Sequence, residues 1–315
     1  GEWSTDAYQL TNEDGEFDRD TTSFRDRIGE EYPAEKNRYH LYICRACPWA
    51  HRTAMMRQLK GLEDHISLSL VEPERYNDGW EFNDEYPDPL YDEPYLRDVY
   101  VRGDDDYTGR VTVPVLWDKE TETIVNNESE EIMRMLDTEF QNLDNGVDLY
   151  PEGYKDKVDS IIEEIYEPIN NGVYRAGFAE SQEAYENAVN DVFNALDKWD
   201  DVLDSQRFLA GDRLTEADVA MFPTLVRFDK VYHTHFKCNK KHIHEYENLW
   251  NYTKDIYQIQ GVEETVNMDH IKRHYYKSHG SVNPKRLVGV GPDLDFTSEH
   301  NRAERFDVEL PDALN

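Results

Sequence analysis

The residue best placed for chemistry is Cys47, followed directly by Pro48 and then by a run rich in Ala, Met, Arg and Leu. Proline is favoured at the first position of a helix, where its missing N–H is no loss. Cys47 therefore reads as the residue that opens a helix. Unpaired amides and the positive end of the helix dipole favour negative charge there. A thiol so placed loses its proton below the unperturbed cysteine value of about 8.5. His51 and Arg52, one turn on, add positive potential. The thiolate is the attacking species in thiol–disulfide exchange, so the expected chemistry is nucleophilic attack by sulfur.

Cys44 and Cys47 have Cys-x-x-Cys spacing. A redox dithiol of the thioredoxin kind needs its nucleophile at the helix start and its partner one turn inside, where this chain has Ala50. Cys47 is thus expected to act as a monothiol. Cys44 is expected in the core, with a resolving role as the alternative. His233, His235, Cys238, His242 and His244 also cluster in sequence. Short His/Cys spacing invites zinc, but this order fits no standard finger, and no metal is expected. Gly289-Val290-Gly291-Pro292 lacks the third glycine and following helix of a dinucleotide fingerprint, and no P-loop is present.

The elements that must position Cys47 are legible in outline. Residues 39–45 are aromatic and β-branched and predict a strand. A helix from Pro48 to Lys60 is stopped by Gly61, and alternation over 65–71 predicts a second strand. This β-α-β unit implies a parallel pair. Residues 73–109, dense in Pro, Asp and Tyr, read as a long functional loop. Residues 111–117 read as a strand with Pro114 at an edge or bulge, 123–125 as another strand, and 128–136 as a helix. That order is a thioredoxin-like α/β domain over 39–140. An all-α domain is expected over 151–280, with helical spacing at 155–178, 181–206, 215–232 and 245–258. Thr215 and Asp218 make a capping box before the third of these. An N-terminal arm over 1–38, pinned by Phe17, Phe24 and Ile28, and a tail over 281–315 complete the layout.

Composition bounds the partners. The 67 acidic residues against 34 basic ones give a formal net charge of −33, spread along the whole chain. Such a polyanion repels nucleic acid and anionic lipid. Dispersed acid on a periodic apolar pattern reads as an acidic shell on a folded protein, the pattern of a salt-rich, halophilic cytoplasm, where screening shortens to about 3 Å at 1 M. Three cysteines in 315 residues are no disulfide scaffold. No apolar run is long enough to span a membrane. The opening Gly-Glu-Trp-Ser-Thr-Asp is polar and acidic, unlike a signal peptide. A cytoplasmic protein with reduced thiols is expected.

The segment Cys47-Pro48-Trp49-Ala50-His51-Arg52-Thr53 resembles the active-site motif of the glutathionyl-hydroquinone reductases, the xi class of glutathione transferases. The likeness continues through Gly79-Trp80, the run Arg110-Val111-Thr112-Val113-Pro114-Val115-Leu116-Trp117-Asp118, and Asn127-Glu128-Ser129. It extends to Asn170-Asn171-Gly172-Val173-Tyr174, Phe236-Lys237-Cys238-Asn239 and the segment from His270 to Tyr276. It spans most of the chain, with its motifs in the family's order.

The resemblance implies the glutathione-transferase fold, a homodimer and no tightly bound cofactor. Glutathione or γ-glutamylcysteine would be the co-substrate, and quinone conjugates the other small-molecule partners. It implies that Val113, before a cis Pro114, pairs with the cysteinyl part of the thiol, alongside Val111 and Thr112. Glu128 and Ser129 would hold the γ-glutamyl end, and Trp80 and Arg110 the remaining peptide portion. Tyr174 would donate and accept the proton, while Tyr232 and Tyr275 would hydrogen-bond substrate hydroxyls or the Cys47 sulfur. The implied reaction is reduction of a glutathionyl-hydroquinone through a Cys47 mixed disulfide. The alternatives are an omega-like dehydroascorbate reductase or deglutathionylase on the same fold, and a non-catalytic binding protein.

The charge makes its own prediction. The unfolding midpoint is expected to rise steadily as KCl is raised from about 0.1 M to about 2 M, as self-repulsion is screened. A midpoint that stays flat or falls over that range contradicts the halophilic reading.

Overall fold

The computed structural model describes residues 3–4, 11–12, 14–17, 21–29 and 31–315. Most of the first ten positions of the expected arm lie outside the described residues. The chain divides into two compact units. One comprises Gly1–Gln9, Asp20–Val147 and Thr265–Ser278, and the other Leu10–Arg19, Asp148–Glu264 and His279–Asn315.

The first unit is built on a four-stranded sheet in the order Ser67–Leu70, Tyr39–Ile43, Val115–Asp118, Thr123–Asn126. The first pair is parallel, with His40 opposite Ser67 and Ile43 opposite Leu70. The other two pairs are antiparallel. Tyr39–Ile43 is buried along its whole length, so its sequence runs apolar and aromatic without the alternation of a one-sided strand. The crossover is the helix Pro48–Leu59, with proline at its first turn and Gly61 beyond its end at φ +64°. It packs on the helix Ser129–Thr138.

Two expectations need correcting here. The strand placed at 111–117 begins at Val115 and lies between two neighbours. Pro114 precedes it, so the missing N–H breaks no ladder and no edge position is needed. The loop placed at 73–109 contains a helix, Leu96–Gly103, whose Leu96, Val99 and Tyr100 are buried. Dense acid and proline on either side hide that short apolar stripe. The arm is pinned as expected at Phe24, whose ring meets Tyr100 and Tyr107. Ile28 is buried, its N–H pointing at the Met135 sulfur.

The second unit is helical, with Lys155–Ile165, Gly172–Gly177, Gln182–Leu203, Glu216–Arg227 and Glu247–Tyr257 as its main elements. The segment expected as one helix over 155–178 is broken by a wide π-type turn at Tyr166–Asn170, and a second such turn, Phe228–Tyr232, follows Glu216–Arg227. The capping box forms: Asp218 Oδ2 accepts from the Thr215 N–H at 2.9 Å. Its other oxygen accepts from the Leu209 N–H and the Tyr252 hydroxyl. Burial pushes the Asp218 carboxyl up to about 6. The tail is tied down, with the Phe296 and Ser298 carbonyls accepting from Gln258 and the buried Arg302 donating to the Leu203 carbonyl. No helix of the described residues is long and apolar enough to cross a membrane.

Lys60, at the end of the first helix, is a buried cation. Its Nζ lies 2.8 Å from Asp137 and 2.9 Å from Asp144, and it also donates to the Val147 carbonyl. Burial works against the ammonium, but the two carboxylates outweigh it and raise its pKa. Removing one partner from such a group leaves buried charge uncompensated, at about 3–5 kcal/mol. Lys60→Ala is therefore expected to lower unfolding free energy by about that amount in guanidinium titrations. A loss below about 1 kcal/mol, the range of an exposed pair, contradicts this.

Candidate active site

The strand Tyr39–Ile43 delivers the chain into a tight turn, in which the Cys47 N–H donates to the Cys44 carbonyl at 3.0 Å. Cys47 is the N-cap of the Pro48–Leu59 helix, in extended backbone conformation, and its carbonyl accepts from the His51 N–H. Its side chain is half-buried, whereas Cys44 is fully enclosed, and none of the three cysteines forms a disulfide. The Cys47 sulfur points at the Val113 carbonyl, 3.8 Å away. His51 and Arg52 are both buried. His51 Nε2 lies 2.8 Å from the Thr265 hydroxyl, and the Arg52 guanidinium sits over the Trp49 ring.

The segment facing Cys47 is held from behind. The Val113–Pro114 bond is cis. Gly109–Arg110 pairs in parallel with Trp3–Ser4, and no described strand pairs with residues 111–114. Val111 and Val113 are buried, while Arg110 and Thr112 are half-buried. Beyond Thr123–Asn126, Glu128 caps the helix Ser129–Thr138, accepting from the Glu130 N–H. Its other carboxylate oxygen accepts from the Thr22 hydroxyl at 3.1 Å, and its own N–H donates to Asn126 Oδ1 at 2.7 Å. Asn127 exchanges two hydrogen bonds with the Phe24 backbone. Arg25 makes a bidentate pair with Glu131. The arm thus braces the helix start that carries Glu128 and Ser129, a role the sequence did not reveal.

Trp80 is buried and stacks on His274, ring centroids 5.3 Å apart, with Arg75 beside it. His274 and the fully buried Tyr275 lie on the helix Met268–Ser278. The sequence reading carried the helical domain to 280; this helix groups instead with the first unit. Arg273 bridges Glu72 and Glu74, Lys277 joins Glu74, and His274 Nδ1–H donates to the Pro73 carbonyl. Long sequence separation hid this docking.

Tyr174 and Tyr232 come together in the second unit, ring centroids 6.2 Å apart, and both contact the Phe236 ring. Tyr232 closes one π-type turn, and Tyr174 lies just past the other. Such turns re-aim side chains and recur at functional sites. Phe17 stacks on Tyr174. A Cβ at Gly177 would lie 2.2 Å from the Phe236 ring, so only glycine allows this approach. Part of the histidine-rich stretch comes together, with His233 stacked on His242 and His242 beside His244, while His244 meets Asp229 and His235 faces away to His279. Burial pushes the Cys238 thiol far up. Among the described residues no cluster of three or more His, Cys, Asp or Glu could hold a metal.

Comparison with known proteins bears on this arrangement. Residues 46–139 match the glutathione S-transferase N-terminal domain and 182–255 the C-terminal domain. A relative named glutathionyl-hydroquinone reductase YqjG, from Escherichia coli, is 47% identical over 97% of this chain and 98% of its own length. A xi-class glutathione transferase structure from Natrialba magadii is 58% identical, with TM-score 0.89, covering 95% of this chain and 97% of that one. The glutathione-bound structure of YqjG is 50% identical, with TM-score 0.86, covering 87% and 91%.

The docking of the Tyr275 helix should respond to acid. Burial works against the Glu74 carboxylate, but hydrogen bonds from Lys277, Tyr76 and Arg273 outweigh it and hold it down at about 2. A depressed carboxylate contributes stability above its unfolded value of about 4.3, and loses it as pH falls toward about 2. Amide-exchange protection of Met268–Ser278 is expected to fall over that window, and Glu74→Gln should flatten the fall. An unchanged pH profile in Glu74→Gln contradicts the assignment.

Proposed function

The chain belongs to the glutathione S-transferase family, in its xi class of glutathionyl-hydroquinone reductases, and from that premise we propose that it reduces glutathionylated hydroquinones through Cys47. The observation that carries the proposal is the half-exposed Cys47 sulfur at the opening of a helix, 3.8 Å from the carbonyl that precedes the cis proline.

In the first half-reaction the Cys47 thiolate attacks the sulfur of the conjugate. An S–S bond forms, the C–S bond breaks, and the electron pair passes to the ring carbon, which takes a proton. The hydroquinone leaves and a Cys47–glutathione mixed disulfide remains. A second glutathione thiolate attacks that disulfide, releasing oxidised glutathione and the Cys47 thiolate. Two electrons pass to the ring carbon as the conjugate's thioether sulfur and the second glutathione's thiol become one disulfide, so no metal or nucleotide is required. The kinetics are ping-pong.

The other roles follow the same reading. Val113 pairs its backbone with the cysteinyl part of the thiol, as an added strand would. The Ser129 end of its helix receives the γ-glutamyl carboxylate, and the Glu128 carboxylate the α-amino group. Trp80 and Arg110 hold the rest of the peptide, with Val111 and Thr112 lining it. Tyr174 supplies the ring proton, and Tyr232 and Tyr275 serve the ring hydroxyls. A homodimer in a salt-rich cytoplasm completes the proposal, resting on the acidic composition and the family likeness.

The test is turnover of a glutathionyl-naphthohydroquinone in KCl by wild type, Cys47→Ala and Cys44→Ala. Removal of a nucleophile is expected to cost about a thousandfold or more, while Cys44→Ala keeps most of the activity. Equal turnover by wild type and Cys47→Ala overturns the mechanism. Collapse in Cys44→Ala as well as in Cys47→Ala points to a dithiol instead.

A further inference from the structure

Two tyrosines of the 73–109 segment meet the backbone that precedes the cis proline. The Tyr107 hydroxyl donates to the Arg110 carbonyl. The Tyr100 hydroxyl donates to the Thr112 carbonyl at 2.8 Å, and the Thr112 N–H points back at the same oxygen from 3.3 Å. The tied carbonyls are two residues apart, the spacing at which an extended chain presents groups along one edge. The next carbonyl, that of Val113, faces the Cys47 sulfur. Residues 111–114 have no strand neighbour among the described residues, so these hydroxyls take the place of a ladder.

Tyr100 does more than tie one carbonyl. Asn127 Nδ2 donates to the same phenol oxygen at 3.2 Å, and the Asn127 side-chain oxygen accepts from the Phe24 N–H. Asn127 immediately precedes Glu128 and Ser129. One buried oxygen therefore links the residue before Val113 to the residue before the helix start. These are the two stretches assigned above to the cysteinyl and γ-glutamyl parts of one thiol.

We propose that Tyr100 is a positioning residue for thiol binding, setting the distance between the Val113 backbone edge and the Glu128–Ser129 turn through its hydroxyl. Tyr107 fixes the other end of the same segment. The proposal rests on the reading of those two stretches as the thiol-binding residues. The Tyr100 side chain is fully enclosed, and burial pushes its hydroxyl up to about 12, so it stays protonated and donates across the working pH range. Without it, the Thr112 carbonyl and the Asn127 amide lose a shared partner inside the protein. Losing such a partner weakens a precisely spaced site by about tenfold in affinity.

The test compares wild type, Tyr100→Phe and Tyr107→Phe in three measurements: glutathione affinity by calorimetry, KM and kcat with a glutathionyl-naphthohydroquinone, and the rate of Cys47 alkylation by iodoacetamide. Tyr100→Phe is expected to raise both the glutathione Kd and KM about tenfold, with kcat and the alkylation rate within about twofold of wild type. A merely structural role would lower the melting temperature and leave KM in place. Unchanged Kd and KM in folded Tyr100→Phe overturn the proposal. Should that variant fail to fold, Tyr107→Phe decides: a severalfold rise in KM supports the proposal, and an unchanged KM overturns it. Wild type that neither binds glutathione nor turns over the conjugate overturns the functional reading itself, a result distinct from any variant effect.

Discussion

A cysteine at the N-cap of a helix places its sulfur at the positive end of the helix dipole, and the rest of the first unit holds Cys47 in that place. The buried strand Tyr39–Ile43 sets where the chain leaves the sheet. Pro48 makes the next residue commit to helix. The Lys60 cluster fixes the far end of that helix. On the opposite side, the Val113 carbonyl is aimed at the sulfur by a segment that runs from the Gly109–Arg110 strand of the two-stranded sheet into the four-stranded sheet at Val115. The Cys47 sulfur is thus held between a helix dipole and a backbone edge; under the proposed function the first suits the charge of a thiolate and the second the peptide part of a thiol.

The parts of the fold set by local chemistry were readable from the sequence. Pro48 and Gly61 bracket the first helix, and Thr215 with Asp218 opens another, because capping and dihedral constraints act within a few residues. The thioredoxin-like order of elements followed from β-branched and aromatic runs, hydrophobic period and Pro/Gly punctuation. The tyrosines proposed for the site were reached by a different route: 21 tyrosines offer no local sign that Tyr174, Tyr232 and Tyr275 differ from the others. Only the motifs around them singled those three out.

What stayed hidden depends on partners distant in sequence. Tyr100 was lost inside an acidic, proline-rich stretch, since its worth comes from Thr112 and Asn127 and not from its neighbours. Thr22 carries no signal of its own and Phe24 was legible only as an apolar anchor; both gain meaning by meeting Glu128 and Asn127. The helix Met268–Ser278 reads as one more helical segment until its ion pairs with Glu72 and Glu74 bring it to the sheet unit. The π-type turns before Tyr174 and at Tyr232 shift register by a single residue, too small a change for periodicity to reveal.

The three cysteines differ in a way that makes the central claim measurable. Cys44 and Cys238 are fully enclosed, and burial raises the Cys238 thiol, whereas Cys47 is half-exposed at the helix opening. Thiolate absorbance of wild type minus that of Cys47→Ser, followed as pH rises, isolates the one sulfur. The account predicts a step well below the unperturbed cysteine value of about 8.5. A step at or above that value would mean the helix start does not stabilise the thiolate, and would contradict it.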